Sequence, residues 1–125
     1  MMQVQKVLLA EDDEHIRFIM KTGLSKLTDW QIFEARNGLE ALDKAVEVKP
    51  DLILLDIMMP HMDGITAFKE LAARNDLSHI PVIFMTAKVQ YEEIQSYVEL
   101  GARGVITKPV DPLSLPEQIL AILSG

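Results

Sequence analysis

Apolar residues in this chain fall into two alternating regimes. Short continuous runs occupy residues 7–10 (VLLA), 52–55 (LILL), 81–85 (PVIFM) and 104–107 (GVIT), each breaking off into turn chemistry. A weaker run covers residues 31–35 (QIFEA). Unbroken apolar runs of this length, rich in Val, Ile, Leu or Phe, predict strands covered on both faces, as in parallel sheets.

Between the runs the apolar period lengthens to three and four. Ile16, Ile19, Met20, Leu24 and Leu27 mark one face of a helix, and Leu39, Leu42 and Val46 mark a second. Asn37 followed by Glu40 reads as a capping box for that second helix. Ile65, Phe68 and Ala72 predict a third helix, and Ile94, Tyr97 and Val98 a fourth. Leu115, Ile119, Ile122 and Leu123 predict a fifth, with Ser114 and Glu117 as a second capping box and Pro116 tolerated in the first turn. Strand and helix thus alternate five times, which predicts an α/β domain with helices on both faces of a parallel sheet and right-handed crossovers.

Length and charge narrow the function. With 125 residues, one domain is expected, residues 1–125, large enough to bury a core. The net charge of -7 argues against broad attraction to nucleic acid or anionic lipid. There is no cysteine, which excludes disulfides, thiol catalysis and Cys-based metal sites. Neither a signal-peptide core nor a membrane-spanning apolar run is present, so a cytoplasmic protein is expected.

The polar residues at the strand ends carry the chemistry. The first run leads into Glu11, Asp12, Asp13 and Glu14; the third ends on Asp56; the fourth leads into Thr86 and Ala87; the fifth into Lys108 and Pro109. Taken singly, each is an ordinary cap or turn residue. Open α/β sheets bind ligands outside the carboxyl ends of their strands, and all these groups reach that edge. Were the first and third strands neighbours, about 4.8 Å apart, their carboxylates would crowd one site. Crowded carboxylates hold a proton unless a positive charge intervenes. Lys108 supplies one; a hard divalent cation, Mg²⁺, would supply more. Asp56 could then act as a nucleophile and form an acyl phosphate, with Thr86 and Lys108 stabilising charge on the transferred group.

With "VLLAEDDE", "DLILLDIMMPHMDG", "PVIFMTA" and "GARGVITKPVD" in this order, the chain resembles the receiver domain of two-component response regulators, the CheY-like group. The resemblance runs from Lys6 to about Leu123. It implies a single doubly wound five-stranded parallel sheet of order 2-1-3-4-5 with five helices, flavodoxin-like. It also implies that Asp56 is the phosphoacceptor, taking its phosphoryl group from a phosphohistidine on a sensor histidine kinase or histidine phosphotransfer protein. Glu11 and Asp12 would hold Mg²⁺, Asp12 more directly and Glu11 through water, with the backbone carbonyl of Met58 as a further ligand. Thr86 would shift to hydrogen-bond one phosphoryl oxygen, and Lys108 would pair with another. Pro60 and Gly64 would shape the loop behind Asp56, and Asp13, one position outside the pair, would be a helix-start charge. Such a chain is a switch that assists its own phosphorylation and dephosphorylation, not a turnover enzyme. Its output would pass to another protein or a fused effector domain, with no direct nucleic-acid or membrane binding.

Two features qualify this expectation. Three residues before the lysine the family usually has Tyr, Phe or His; here Val105, stiff at χ1, has no ring to swing. Met58 and Lys88 occupy positions that tune phosphoryl lifetime in the family. A degenerate receiver serving only as a docking module is the alternative, and the complete set Glu11, Asp12, Asp56, Thr86 and Lys108 argues against it. An aspartyl phosphatase would need a second Asp where Met58 stands, and a flavodoxin would need a Ser/Thr/Gly-rich loop where "EDDE" stands. His15, His61 and His79 lack metal-ligand spacing. Met58, Met59, Met62 and Met85 are expected to pack around the loop. Ile16 is either a core position or an apolar contact at the site mouth for the partner carrying the histidine.

Overall fold

The computed structural model describes residues 3–87 and 90–125. Five strands, β1 (Lys6–Ala10), β2 (Gln31–Ala35), β3 (Leu52–Asp56), β4 (Val82–Thr86) and β5 (Gly104–Thr107), alternate with five helices. These are α1 (Glu14–Leu27), α2 (Gly38–Val48), α3 (Gly64–Ala72), α4 (Tyr91–Leu100) and α5 (Leu115–Ser124). All neighbouring strands are parallel, in the order β2-β1-β3-β4-β5, as expected.

Side-chain alternation splits the apolar runs between two cores. Leu8, Ala10, Ile53, Leu55 and Phe84 face the side packed by α2 and α3, while Val7, Leu9, Leu54, Ile83 and Met85 face α1 and α5. Phe84 anchors the first side, edge-on to Phe68 of α3 and Tyr97 of α4 with ring centroids 5.5 and 5.6 Å away. Each such pair contributes about 1 kcal/mol beyond its buried area.

The helices differ in detail from the periodicity. On α2 the buried face is Gly38, Ala41, Leu42 and Ala45, while Leu39 and Val46 are exposed. Small residues let this helix ride close to the sheet beside Leu42, while Leu39 and Val46 turn outward. On α1, Met20 and Leu24 are buried but Ile19 and Leu27 are half exposed. Among its described residues, α4 has none fully buried.

The capping boxes are partial. Asn37 accepts from the Glu40 N–H at 2.9 Å, but the Glu40 carboxylate accepts from the Arg36 N–H instead of closing back on Asn37. Ser114 makes no side-chain cap: it already has helical φ and ψ, and its hydroxyl accepts from Gln118 Nε2 at 2.9 Å. An extended backbone is what aims a cap side chain at the first free N–H groups, and Ser114 lacks it.

Candidate functional site

Strand register assembles the site. Ala10 pairs with Leu55, so the residues that follow, Glu11 and Asp56, emerge side by side. Asp56 pairs with Met85, and Thr86 pairs with Thr107, whose successor is Lys108. The Lys108 N–H donates to the Thr86 carbonyl at 2.8 Å, extending the ladder one step past β5. Strand order reverses between β1 and β3, and the carboxyl end of that junction is where open α/β sheets bind ligands.

Glu11, Asp56 and Thr86 are the buried polar residues of the described fold. The Glu11 N–H donates to the Ala35 carbonyl at 3.0 Å, and its Oε2 accepts from the Asp13 N–H at 3.1 Å. Asp13 itself caps α1, its Oδ1 accepting from the Ile16 N–H at 3.0 Å, as a helix-start charge should. Asp12 stands exposed between them, at the mouth.

The loop after Asp56 is pinned by two glycines. The Gly64 N–H donates to the Ile57 carbonyl at 2.9 Å, and a Cβ at Gly64 would collide with the Asp56 backbone. The Gly38 N–H donates to the Met62 carbonyl at 2.9 Å, and a Cβ at Gly38 would meet Met62 side-chain carbons at 2.8 and 2.9 Å. Between these points His61 adopts a left-handed φ of 67°. Met59 and Met62 pack against the core and Met85 is buried, but Met58 is 70% exposed, so its side chain does not share the expected packing role. Its N–H makes a long contact, 3.4 Å, to Asp56 Oδ1. Lys88 lies outside the described residues.

One ammonium bridges two buried acids. Lys108 Nζ lies 2.7 Å from Glu11 Oε1 and 3.0 Å from Asp56 Oδ2. Burial pushes the Glu11 carboxyl up to about 7, against the opposing pull of Lys108 and of the Asp13 N–H. Burial alone would lower the Lys108 ammonium, but Glu11 and Asp56 outweigh it and hold it above its ordinary value. The two carboxylates therefore keep the Lys108 ammonium charged despite its enclosure.

These residues fit a hard divalent ion. Carboxylate oxygens of Glu11, Asp12 and Asp56 all lie within 4.8 Å of one another. Glu11 Oε1 is buried in a direction that leaves it without a well-formed hydrogen bond despite the nearby ammonium. An all-oxygen donor set of three carboxylates suits Mg²⁺ and not a soft metal.

Beside the site opens an apolar cavity of about 390 Å³, lined by Ile16, Ile19, Met20, Ala87, Pro109 and Val110, with Lys108 at its edge. Ile16 is half-buried against the α1/α5 core and also lines this cavity. A residue the sequence reading passed over also touches the site: Arg17 Nη1 donates to the Glu11 carbonyl at 2.8 Å, and its Nε to Glu34 Oε1 at 3.2 Å. The available signal was a lone acid inside the apolar β2 run, opposite two bases four apart on α1, Arg17 and Lys21.

A family model described as the response regulator receiver domain matches residues 7–120. Sporulation initiation phosphotransferase F of Bacillus subtilis is 39% identical over 110 residues, spanning 88% of this chain and 86% of that protein. The alkaline phosphatase synthesis transcriptional regulatory protein PhoP of the same organism is 36% identical over 119 residues, which are 95% of this chain but 48% of PhoP. The chain therefore spans nearly all of some relatives and about half of others. The chemotaxis response regulator CheY4 of Vibrio cholerae superposes with a TM-score of 0.88 at 28% identity, over 96% of this chain and 99% of that one.

Proposed function

The chain belongs to the response regulator receiver domain family, and from that premise we propose that Asp56 is its phosphoacceptor, Glu11 and Asp12 its metal-holding pair, and Thr86 and Lys108 its phosphoryl-binding groups. The observation that supports this most is Lys108 spanning Glu11 and Asp56 at the reversal of strand order. Receiver domains interact with histidine kinases, phosphotransfer proteins and output domains. In this chain a phosphohistidine on such a partner is the donor, and the apolar cavity beside Lys108 is where the partner's helix rests.

In the reaction, a carboxylate oxygen of Asp56 attacks phosphorus. The bond from phosphorus to the donor imidazole nitrogen breaks, its electron pair returns to the ring, and an acyl phosphate forms on Asp56. Lys108 moves from pairing two carboxylates to pairing a phosphoryl oxygen, and Thr86 hydrogen-bonds another. The buried walls around Asp56 limit water at the acyl phosphate. A Mg²⁺ held by Glu11, Asp12, Asp56 and the Met58 carbonyl would add positive charge against the transferring oxygens. Phosphorylation then shifts a two-state equilibrium and with it partner affinity, a switch and not a turnover cycle. No helix among the described residues is long and apolar enough to cross a membrane.

The test is intact mass after incubation with Mg²⁺ and a small-molecule phosphodonor, wild type beside Asp56→Asn. A gain of one phosphoryl group in wild type alone, abolished by prior chelation, is the expected result. Labelling of a folded Asp56→Asn variant would move the acceptor elsewhere. No labelling of a folded wild type, even from a cognate phosphohistidine protein, would leave the docking-module reading.

A further inference from the structure

We propose that Arg17 is a positioning residue for the acidic pair, setting the direction in which Asp12 faces the divalent cation; this rests on the metal reading above. Arg17 lies in α1 with its side chain 12% exposed, too enclosed for a solvated surface charge. Its fork grips two elements at once: Nη1 the Glu11 carbonyl at 2.8 Å, Nε the Glu34 carboxylate of β2 at 3.2 Å. Lys21 holds the other Glu34 oxygen at 2.9 Å, so the acid that anchors the guanidinium is itself anchored.

The geometry matters because of which carbonyl is gripped. Glu11's oxygen belongs to the peptide plane joining Glu11 to Asp12, and that plane's tilt sets where the Asp12 Cβ points. The Glu11 N–H is already fixed by the Ala35 carbonyl at 3.0 Å. β2 therefore holds the backbone of Glu11 on both sides, directly through the N–H and through Glu34 and Arg17 at the carbonyl. No hydrogen bond or ion pair among the described residues tethers the Asp12 carboxylate itself, so the backbone is what aims it. Groups that orient metal ligands from outside the coordination sphere commonly change affinity by about 10- to 100-fold when removed.

Electrostatics alone predicts the opposite sign. Arg17 is a positive charge near a cation site, and deleting it should tighten Mg²⁺ binding. If positioning dominates, deletion weakens it. Lysine, a point charge without the planar fork, can hold one of the two partners and should recover part of the loss.

The experiment is a direct calorimetric Mg²⁺ titration of wild type, Arg17→Met, Arg17→Lys and Asp12→Ala, each with a thermal melt. Arg17→Met should bind roughly 10-fold more weakly, with Arg17→Lys between it and wild type. The Mg²⁺ midpoint for phosphoryl uptake should rise by the same factor. A merely structural defect would lower the amplitude at every Mg²⁺ concentration and leave the midpoint in place. Unchanged or tighter Mg²⁺ binding by a folded Arg17→Met variant overturns the proposal. Should that variant not fold, Arg17→Lys, which keeps the charge and loses the planar fork, decides by the same titration: weaker binding than wild type supports the proposal, unchanged or tighter binding overturns it. Wild type without Mg²⁺ affinity, or Asp12→Ala with full affinity, would instead overturn the metal reading on which it stands.

Discussion

Lys108 Nζ stands 3.0 Å from Oδ2 of Asp56, across 52 positions of the chain, and the same nitrogen is closer still, 2.7 Å, to Glu11 Oε1. Shared between two buried carboxylates, it is preorganised for a third anionic oxygen. Lys108→Met should slow phosphoryl uptake at Asp56 about 100-fold, the usual loss when one fixed donor to a developing charge is removed. Time courses of label incorporation at saturating Mg²⁺ would measure it. An unchanged rate would take Lys108 out of the reaction.

Gly64→Ala is expected to destabilise the fold by about 2 kcal/mol, because the added methyl has only the Asp56 and Ile57 backbone to move into. Backbone cannot swing aside as a side-chain end can. The displaced strand end should also impair phosphoryl uptake, seen by comparing denaturant midpoints and labelling rates. A neutral effect on both would show that this loop relaxes freely.

Glu34 gives the fold a dependence on acid. Burial alone would raise its carboxyl, but Lys21 and Arg17 outweigh burial and hold it below its ordinary 4.5. A depressed folded value means stability fully present above the ordinary value and lost as pH falls through the folded one. The difference in melting temperature between wild type and Glu34→Gln should therefore be largest near neutrality and shrink in acid. A difference that grows in acid would reverse the sign assigned to Glu34.

Val105 is half-buried against the core that α4 also flanks, and it carries no ring to reorient. Amide shift changes on the α4–β5–α5 face upon phosphorylation should be small beside those around Asp56. Val105→Tyr should enlarge them. Large changes in the wild type would show that this face responds without an aromatic switch.

The sheet and the charges at its edge were legible because both are local signals. Residues 52–55 are apolar without interruption and Asp56 follows at once, so one glance along the chain finds the strand and the carboxylate at its end together. Asn37 also declared itself, since a cap needs only its own first turn. What could not be read depends on distance in three dimensions. Leu39 and Val46 look like a core face until the close approach of Ala41 and Ala45 to the sheet claims that role. Ser114 has the right neighbour for a capping box but the wrong backbone. Arg17 looks like any solvated helix base, because its partners, Glu11 just past β1 and Glu34 in β2, are brought together by a strand adjacency that no local pattern states.

The strand register has a consequence for a chain still being made. Asp56 is synthesised before β4 and β5 exist, yet Thr86 and Lys108 arrive only when β4 pairs onto β3 and β5 onto β4. Synthesis proceeds from the amino end, and such long-range pairings form late. A half-translated chain thus displays the Asp56 carboxylate without Thr86 and Lys108 beside it. On the proposed assignment, phosphoryl transfer to Asp56 would wait until the fifth strand had left the ribosome, and every labelled molecule would have a finished sheet.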